Sequence, residues 1–466
     1  MRLLWDHLLT IAGFLLAMAL VLRIMGEKRQ PGGAMAWLLA IALVPYIGVP
    51  LFLLLGDRKL RREVRSKGPL YTRQAGGIID TDVMTEGGPG MVRAGMPMPR
   101  TGNATDLHFS GESAHAALMR LFENARHSIN VTTFILGRDE TGRSVVELLA
   151  KKAREGVEVR LLLDGLGCIR SSGRFTGPLR DAGGRVAEFM PVLPLRRKWS
   201  ANLRNHRKIA VVDHQAAMIG GMNLATEFMG PEPSDARFVD SAVFVEGPIV
   251  ADIETVFFGD WKYVTDEAPP KPDSLPGASG LFVPGEATST LQVVASGPDV
   301  PEDTFTDAML CAIMDARERI WLVTPYFVPD EPLLRTLAVK ARAGKDVRVL
   351  VPMRSNHRLA DLARGPALRE IAAAGGRVYA YPKGMVHAKA MVFDSTLAVT
   401  GSPNLDMRSM YLNFEIALFH YSRPEIERVA SWTAWMQAQS IHYHAEHSGS
   451  GRRWAEELCQ FISPLL

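Results

Sequence analysis

One polar pattern occurs twice in this chain, and that duplication limits the fold more than any other feature. NHRKIAVVDHQAAMIGGMNL places His206, Lys208, Asp213, Gly220, Gly221 and Asn223, while VHAKAMVFDSTLAVTGSPNL places His387, Lys389, Asp394, Gly401, Ser402 and Asn404. Both read HxKx4Dx6G[GS]xN, with a seventeen-residue step from His to Asn. With only 12 His in 466 residues, chance is a poor explanation for two such copies. The sequence around them repeats as well: AREGVEVRLLLD (153–164) resembles ARAGKDVRVLVP (341–352), and GGRV recurs at 183–186 and 375–378. In each half an apolar run (INVTTFIL, 129–136; RIWLVTPYF, 319–327) precedes a helical pattern and a second short apolar run. Strands alternating with helices predict an α/β fold with a largely parallel sheet covered on both faces. Two copies predict a pseudo-twofold pair of α/β/α units facing one another. A Pro-rich connector at 268–290 separates the halves, 106–267 and 291–466.

The spacing carries chemistry. His and Lys two residues apart in an alternating apolar sequence point to one side of a strand and can meet one phosphate together. Asp213 and Asp394 stand seven residues after their His, an odd step that turns them to the opposite face. They are therefore expected to support the site from behind. Gly-Gly or Gly-Ser before Asn suggests a tight turn that brings backbone N–H groups and the Asn amide to the pocket. A phosphodiester is anionic and a poor electrophile, so two ammonium groups and amide donors are needed to offset the charge developing on its oxygens. One histidine can attack phosphorus while the other, protonated, gives its proton to the leaving alkoxide. A phosphohistidine forms, and the second histidine, now neutral, deprotonates the incoming hydroxyl. The two histidines are thus expected in different protonation states, and no metal or other cofactor is required.

Composition excludes several classes. The cysteines, Cys168, Cys311 and Cys459, are too scattered for a disulfide scaffold or a Cys-type zinc site. Hydrophobic residues make up 47% of the chain and are unevenly spread, with two long uncharged runs near the start, Leu8–Leu22 and Gly32–Gly56. Each is long enough to cross a bilayer, the first if its helix extends to about Met25, and Pro45, Gly48 and Pro50 predict a kink or break in the second. Residues 1–57 are expected to form a two-span anchor, followed by a basic, Gly/Pro-rich linker at 58–105. Arg58, Lys59, Arg61, Arg62, Arg65 and Lys67 follow the second run, so the positive-inside rule places both ends and the catalytic part in the cytoplasm. The formal net charge of +3 hides this clustering. The same basic run can attract anionic headgroups.

These residues resemble the phospholipase D superfamily, and the wider chain is similar to membrane-bound bacterial cardiolipin synthases. Beyond the duplicated motif, the likeness rests on PGGAMAWLLAIALVPYIGVPLFLLLG, NLRNHRKIAVVD, VTPYFVPD, SPNLDMRSMYLNFE and the terminal ISPLL. It implies two phospholipase D-like units behind a transmembrane hairpin in the bacterial inner membrane. It also implies transfer of a phosphatidyl group between two phosphatidylglycerols, giving cardiolipin and glycerol. By this resemblance His206 is the nucleophile and His387 the general acid and base, with the reverse assignment left open. Lys208, Lys389, Asn223 and Asn404 would bind phosphate oxygens, together with Gly221 and Ser402. Glu415, 28 residues after His387, matches the family's acidic residue that orients a histidine. In the first half that step reaches Ser234, not an acid, a departure from the family's pattern; the resemblance offers Asp240 in FVDSAVFVEGP as the counterpart and leaves the orientation of one histidine open.

No acid lies between Glu188 and Asp213, whereas Arg196, Arg197, Lys198 and Arg204 do. They suggest a basic loop at the pocket mouth that attracts lipid headgroups, although a solvated basic loop has the same composition. Expected partners are phosphatidylglycerol and anionic membrane lipid, with self-association left open and no nucleic acid. Competing readings with the same residues are a phospholipase D hydrolase or another phosphatidyltransferase, a phosphodiesterase acting on nucleic acid, and a non-catalytic membrane scaffold.

Overall fold

The computed structural model describes residues 41, 67–71, 96–192, 200, 202–269, 287–300, 303–443 and 450–461. The two apolar runs, apart from Ile41, lie outside the described residues, as do Arg58, Lys59, Arg61, Arg62, Arg65, Arg196, Arg197 and Lys198. Among the described residues no helix is long and apolar enough to cross a membrane. The chain divides into two compact units, Met1–Ser66 with Ser200–Asn202, and Lys67–Trp199 with Leu203–Leu466. Every element named here belongs to the second.

The first half runs β1 (Arg100–His108), α1 (Gly111–Glu123), β2 (Ser128–Thr133), α2 (Glu140–Arg154), β3 (Glu158–Asp164), α3 (Gly177–Asp181), β4 (Arg185–Phe189), β5 (Ile209–Val212), β6 (Ala216–Gly220), β7 (Ala242–Glu246) and α4 (Val250–Thr265). The second half runs β8 (Ser289–Ser296), α5 (Thr304–Asp315), β9 (Arg319–Val323), β10 (Phe327–Val328), α6 (Glu331–Arg342), β11 (Asp346–Pro352), α7 (Arg358–Ala363), α8 (Gly365–Ala373), β12 (Arg377–Tyr381), β13 (Ala390–Phe393), β14 (Leu397–Gly401), β15 (Leu405–Asp406), α9 (Met407–Tyr411), β16 (Glu415–His420), α10 (Arg423–Ala438), β17 (Ile441–His442) and α11 (Ser450–Phe461). The repeat extends to helix capping. Asp139 accepts from Gly142 N at the start of α2, and Asp330 accepts from Leu333 N at the start of α6. Both helices end in basic residues, which complement the helix dipole.

The strands join into one sheet ordered β17-β12-β11-β9-β13-β14-β16-β8-β1-β7-β6-β5-β2-β3-β4. Reading outward from the β1–β8 contact, β1, β7, β6, β5, β2, β3 and β4 correspond to β8, β16, β14, β13, β9, β11 and β12. The expected largely parallel sheet is corrected on two counts. Parallel pairing in this sheet is confined to β2–β3–β4 and β9–β11–β12, while the remaining ladders are antiparallel. The reason is local: the segment from HxK to the glycines is a hairpin, β5–β6 or β13–β14, with no crossover helix. The halves also join edge to edge through the antiparallel β1–β8 pair besides sharing a core.

That core holds Ile209, Val211, Ile219 and Val243 of the first half against Val293, Val392, Ala398, Ile416 and Leu418 of the second, with apolar faces of α4 and α10. The opposite faces of the two halves are covered by α1 and α2 and by α5, α6 and α8. Strands such as β6 and β7 are buried along their whole length, so their sequences read as apolar runs without clean alternation. The first strand begins at Arg100, inside the stretch read as linker, and β8 begins at Ser289, two residues before the expected start of the second half. A register shift between Arg100 and Asn103, with Gly102 at φ +79°, breaks the period-two pattern that would have revealed β1.

Candidate active site

Each motif histidine lies just before a hairpin strand, where its backbone pairs with the opposite half. His206 N donates to Phe414 O (2.9 Å) and Phe414 N to Arg204 O (2.9 Å). Correspondingly, His387 N donates to Val239 O (2.7 Å) and Val239 N to Met385 O (2.8 Å). The residue after each partner is a carboxylate, so the acids are exchanged between halves. Glu415 Oε2 lies 2.9 Å from His206 Nδ1, and Asp240 Oδ2 lies 2.7 Å from His387 Nδ1. The two acids are equivalent although their distances from their own histidines differ. Gly221 N donates to Ser241 O (3.0 Å) just as Ser402 N donates to Ile416 O (2.9 Å), which puts Asp240 and Glu415 at matching ladder positions.

Aromatic walls hold the imidazoles. Phe134 meets His206 edge-on at 5.0 Å, and Phe228 meets His387 at 5.0 Å. Burial, the largest influence, lowers the His206 pKa to about 4 and the His387 pKa to about 3, despite their carboxylate partners. Burial thus favours the neutral form of both rings, while Glu415 and Asp240 oppose it by favouring the charged form. Lys208 Nζ donates to His206 O (2.7 Å). Lys389 Nζ donates to His387 O and lies 2.9 and 3.1 Å from the two ring nitrogens. Burial also lowers Lys208 to about 7 and Lys389 to about 8. An anion brought among these four groups favours their charged forms and raises all four pKa values. Binding of a monoanionic phosphonate ester that mimics a phosphodiester near pH 8 is thus expected to take up protons, and affinity should fall as pH rises beyond the lysine values. Calorimetry in two buffers of different ionisation enthalpy measures this, and proton release would contradict it.

The other sequence candidates occupy several environments. Asn223 Oδ1 accepts from Ile135 N (3.1 Å), and Asn404 donates to the Asp406 carboxylate. The N–H of Gly221 is used in the strand ladder and does not serve the pocket. Glycine is needed there for space, because a Cβ would stand 2.2 Å from Asp240 Oδ1. Ser402 fills the equivalent space in the second half and donates its hydroxyl to Glu415 Oε2, where sequence reasoning placed it on phosphate. Asp213 takes N–H bonds from Arg126, His127 and Ser128 (2.8, 2.7 and 2.8 Å), and Asp394 takes the same three from Arg317, Glu318 and Arg319 (2.7, 2.8 and 2.8 Å). Both sit at the far end of their strand from His, with φ of +52° and +50°, and hold the loop that leads into β2 or β9. They are thus away from the reacting groups, through distance along the hairpin strand and not through the change of face that an unbroken strand would give.

Two basic residues depart from expectation. Arg204 is buried with its Nη1 3.5 Å from Asp164, not on a solvated loop, because Asp164 also anchors the N–H groups of Asn205, Leu166 and Gly167. Lys67, read as part of a headgroup-attracting run, is buried on Asp260 (2.8 Å) and Asp299. Arg207, between the motif His and Lys, belongs by sequence to the same acid-free basic stretch, but the structure gives it a different place. It is fully buried, bonds Asp260 (2.6 Å) and donates to Glu415 O (3.1 Å), bracing the acid that holds His206. The signal was Asp260 itself: a carboxylate in the apolar helical run around Phe257 and Trp261 requires buried cations. Among the described residues no group of three or more His, Cys, Asp or Glu is placed to hold a metal ion.

Residues 118–261 and 309–437 match the family described as cardiolipin synthase, PLD-like domain. Residues 14–56 match the one described as phospholipase D-nuclease N-terminal. Cardiolipin synthase 2 of Bacillus cereus is 31% identical over 473 residues, covering 98% of this chain and 90% of its own length. The cardiolipin synthase of Halalkalibacterium halodurans is 30% identical over 466 residues, covering 94% and 90%. Among solved structures, phosphatidylserine synthase of Haemophilus influenzae Rd KW20 superposes with a TM-score of 0.62 over 81% of this chain and 100% of that one. At 14% identity it shows a shared fold alone.

Proposed function

The chain belongs to the cardiolipin synthases with a PLD-like domain, phosphatidyltransferases that act on phospholipid at the membrane, and from this premise we propose how it works and on which lipids. The donor and the acceptor are both phosphatidylglycerol, and the products are cardiolipin and glycerol. The observation that carries the reading is the exchange of acids: each His-Lys pair is completed by a carboxylate of the other half, so the two motifs form one site. A carboxylate at Nδ1 fixes the hydrogen there and leaves the Nε2 lone pair for chemistry. His206 Nε2 attacks phosphorus, and the P–O bond to glycerol breaks as His387, protonated in the lipid complex, gives its proton to the departing alkoxide. His387 then takes the proton of a hydroxyl on the second phosphatidylglycerol, whose oxygen attacks phosphorus and breaks the P–N bond. Lys208 and Lys389 offset charge on the phosphoryl oxygens, with the amides of Asn223 and Asn404 as further donors.

We place residues 8–25 and 32–56 across the bacterial inner membrane as a two-span anchor within 1–57, with the linker and both catalytic halves on the cytoplasmic side. Supporting this are the two uncharged runs, the basic residues directly after them and the family match over 14–56. Incubating the full-length protein with phosphatidylglycerol should yield cardiolipin and glycerol in equal amounts. Phosphatidic acid as the main product would replace this reading with a hydrolase.

A further inference from the structure

We infer that two pseudo-twofold-related loops, the one after β3 and the one after β11, form an interfacial surface that inserts into an anionic lipid layer beside the active site. The inference rests on the phosphatidyltransferase reading and specifies how its site meets the bilayer. Nine large hydrophobic side chains are exposed among the described residues, and four lie on these segments: Leu166 (45%) and Ile169 (58%) in the first loop, Met353 (41%) in the second and Leu359 (48%) in the first turn of α7, which ends it.

Charge follows the same pattern. Exposed Arg170 and Arg174 accompany the first pair, and exposed Arg354 and Arg358 accompany the second. No acid occurs from Gly165 to Arg180 or from Met353 to Ala360. The neighbouring Asp361 is turned inward, accepting from Ser355 N (2.9 Å) and pairing with Arg364 (3.0 Å). Apolar tips flanked by arginines suit a bilayer surface, where the tips enter the acyl boundary and the guanidiniums stay among the phosphates. A nucleic-acid surface would favour the cations without the apolar tips.

Both loops adjoin the site. A Cβ on Gly167 would stand 2.0 Å from Phe134 O, so the first loop packs on the residue that walls His206. In the second, Asn356 accepts from the Tyr326 hydroxyl and His357 meets the Tyr326 ring at 5.6 Å. A cavity of about 210 Å³ opens there between Tyr326, Leu359 and Asp406, two residues beyond Asn404. Lipid drawn to these loops is therefore delivered to the carboxyl ends of β2 and β9, where the motifs converge.

The test is tryptophan fluorescence of full-length protein in vesicles. Ile169→Trp and Leu359→Trp each add a reporter to one loop. Met314→Trp is the control, at an exposed apolar position (56%) that precedes the amino end of β9. The added emission at both loops is expected to shift to the blue and be quenched by brominated phosphatidylglycerol, with weaker quenching by brominated phosphatidylcholine and none at position 314. No quenching at either loop overturns the inference, as do equal quenching by both lipids and a response to duplex DNA but not to vesicles. Because the readout is fluorescence, failure here is distinct from failure to make cardiolipin.

Discussion

His206→Ala is expected to reduce cardiolipin formation roughly 10⁴-fold or more, and His387→Ala by a similar factor, with the double variant little worse than either alone. Groups that act as one unit give such non-additive losses, because removing the nucleophile leaves the acid and base nothing to act on. Both side chains are buried between an aromatic wall and a carboxylate of the opposite half, so alanine removes the reacting nitrogen and leaves the acid without its partner. Product assays on the purified full-length variants, with thermal unfolding as a check on folding, measure this. Additive losses would show that the two motifs work independently, against the single shared site.

The second large effect concerns an acid that touches no substrate atom. Glu415→Gln is expected to lower turnover by about 10²–10⁴-fold, the range seen when a histidine loses the carboxylate that fixes its tautomer and stabilises its charged form. Burial alone would raise the Glu415 pKa, but His206, Lys208 and the Ser402 hydroxyl outweigh it and hold the group below the usual carboxylate range. It is therefore charged at neutral pH, and glutamine removes that charge at nearly constant shape. KM for phosphatidylglycerol should change far less than kcat, since Glu415 acts through His206. Asp240→Asn should do the same through His387. A purely structural role for Glu415 would lower thermal stability and leave the kcat of the folded fraction intact.

The halves and the motif residues were legible because a repeated seventeen-residue spacing of His, Lys, Asp, Gly and Asn carries its own control. Asp213 and Asp394 do support the loops behind the site, but because each strand ends just before its Asp and not because alternation turns the side chain to the opposite face. Sheet direction was not legible, because periodicity identifies a strand and is silent about its partner. The exchange of Glu415 and Asp240 was hidden for a related reason: sequence spacing measures within a half, whereas these acids act across the two. Longer connecting sequence in the first half, including Pro231 to Ala236, obscured their equivalence further. Gly221 and Ser402 looked like donors to phosphate, yet the close approach of an acid to each decides their identity. Lys67 and Arg204 show that a run of basic residues does not say which members are buried.

The central claim is that one histidine carries the phosphatidyl group between donor and acceptor. It is tested most directly by incubating the His387→Ala variant with phosphatidylglycerol, stopping the reaction under alkaline conditions that preserve phosphohistidine, and locating the adduct by peptide mass spectrometry. The account predicts a phosphatidyl group on the peptide containing His206, since the remaining slow turnover stalls without the base that activates the acceptor. An adduct on Lys208 or a hydroxyl residue, or no adduct while cardiolipin is still formed, would contradict it.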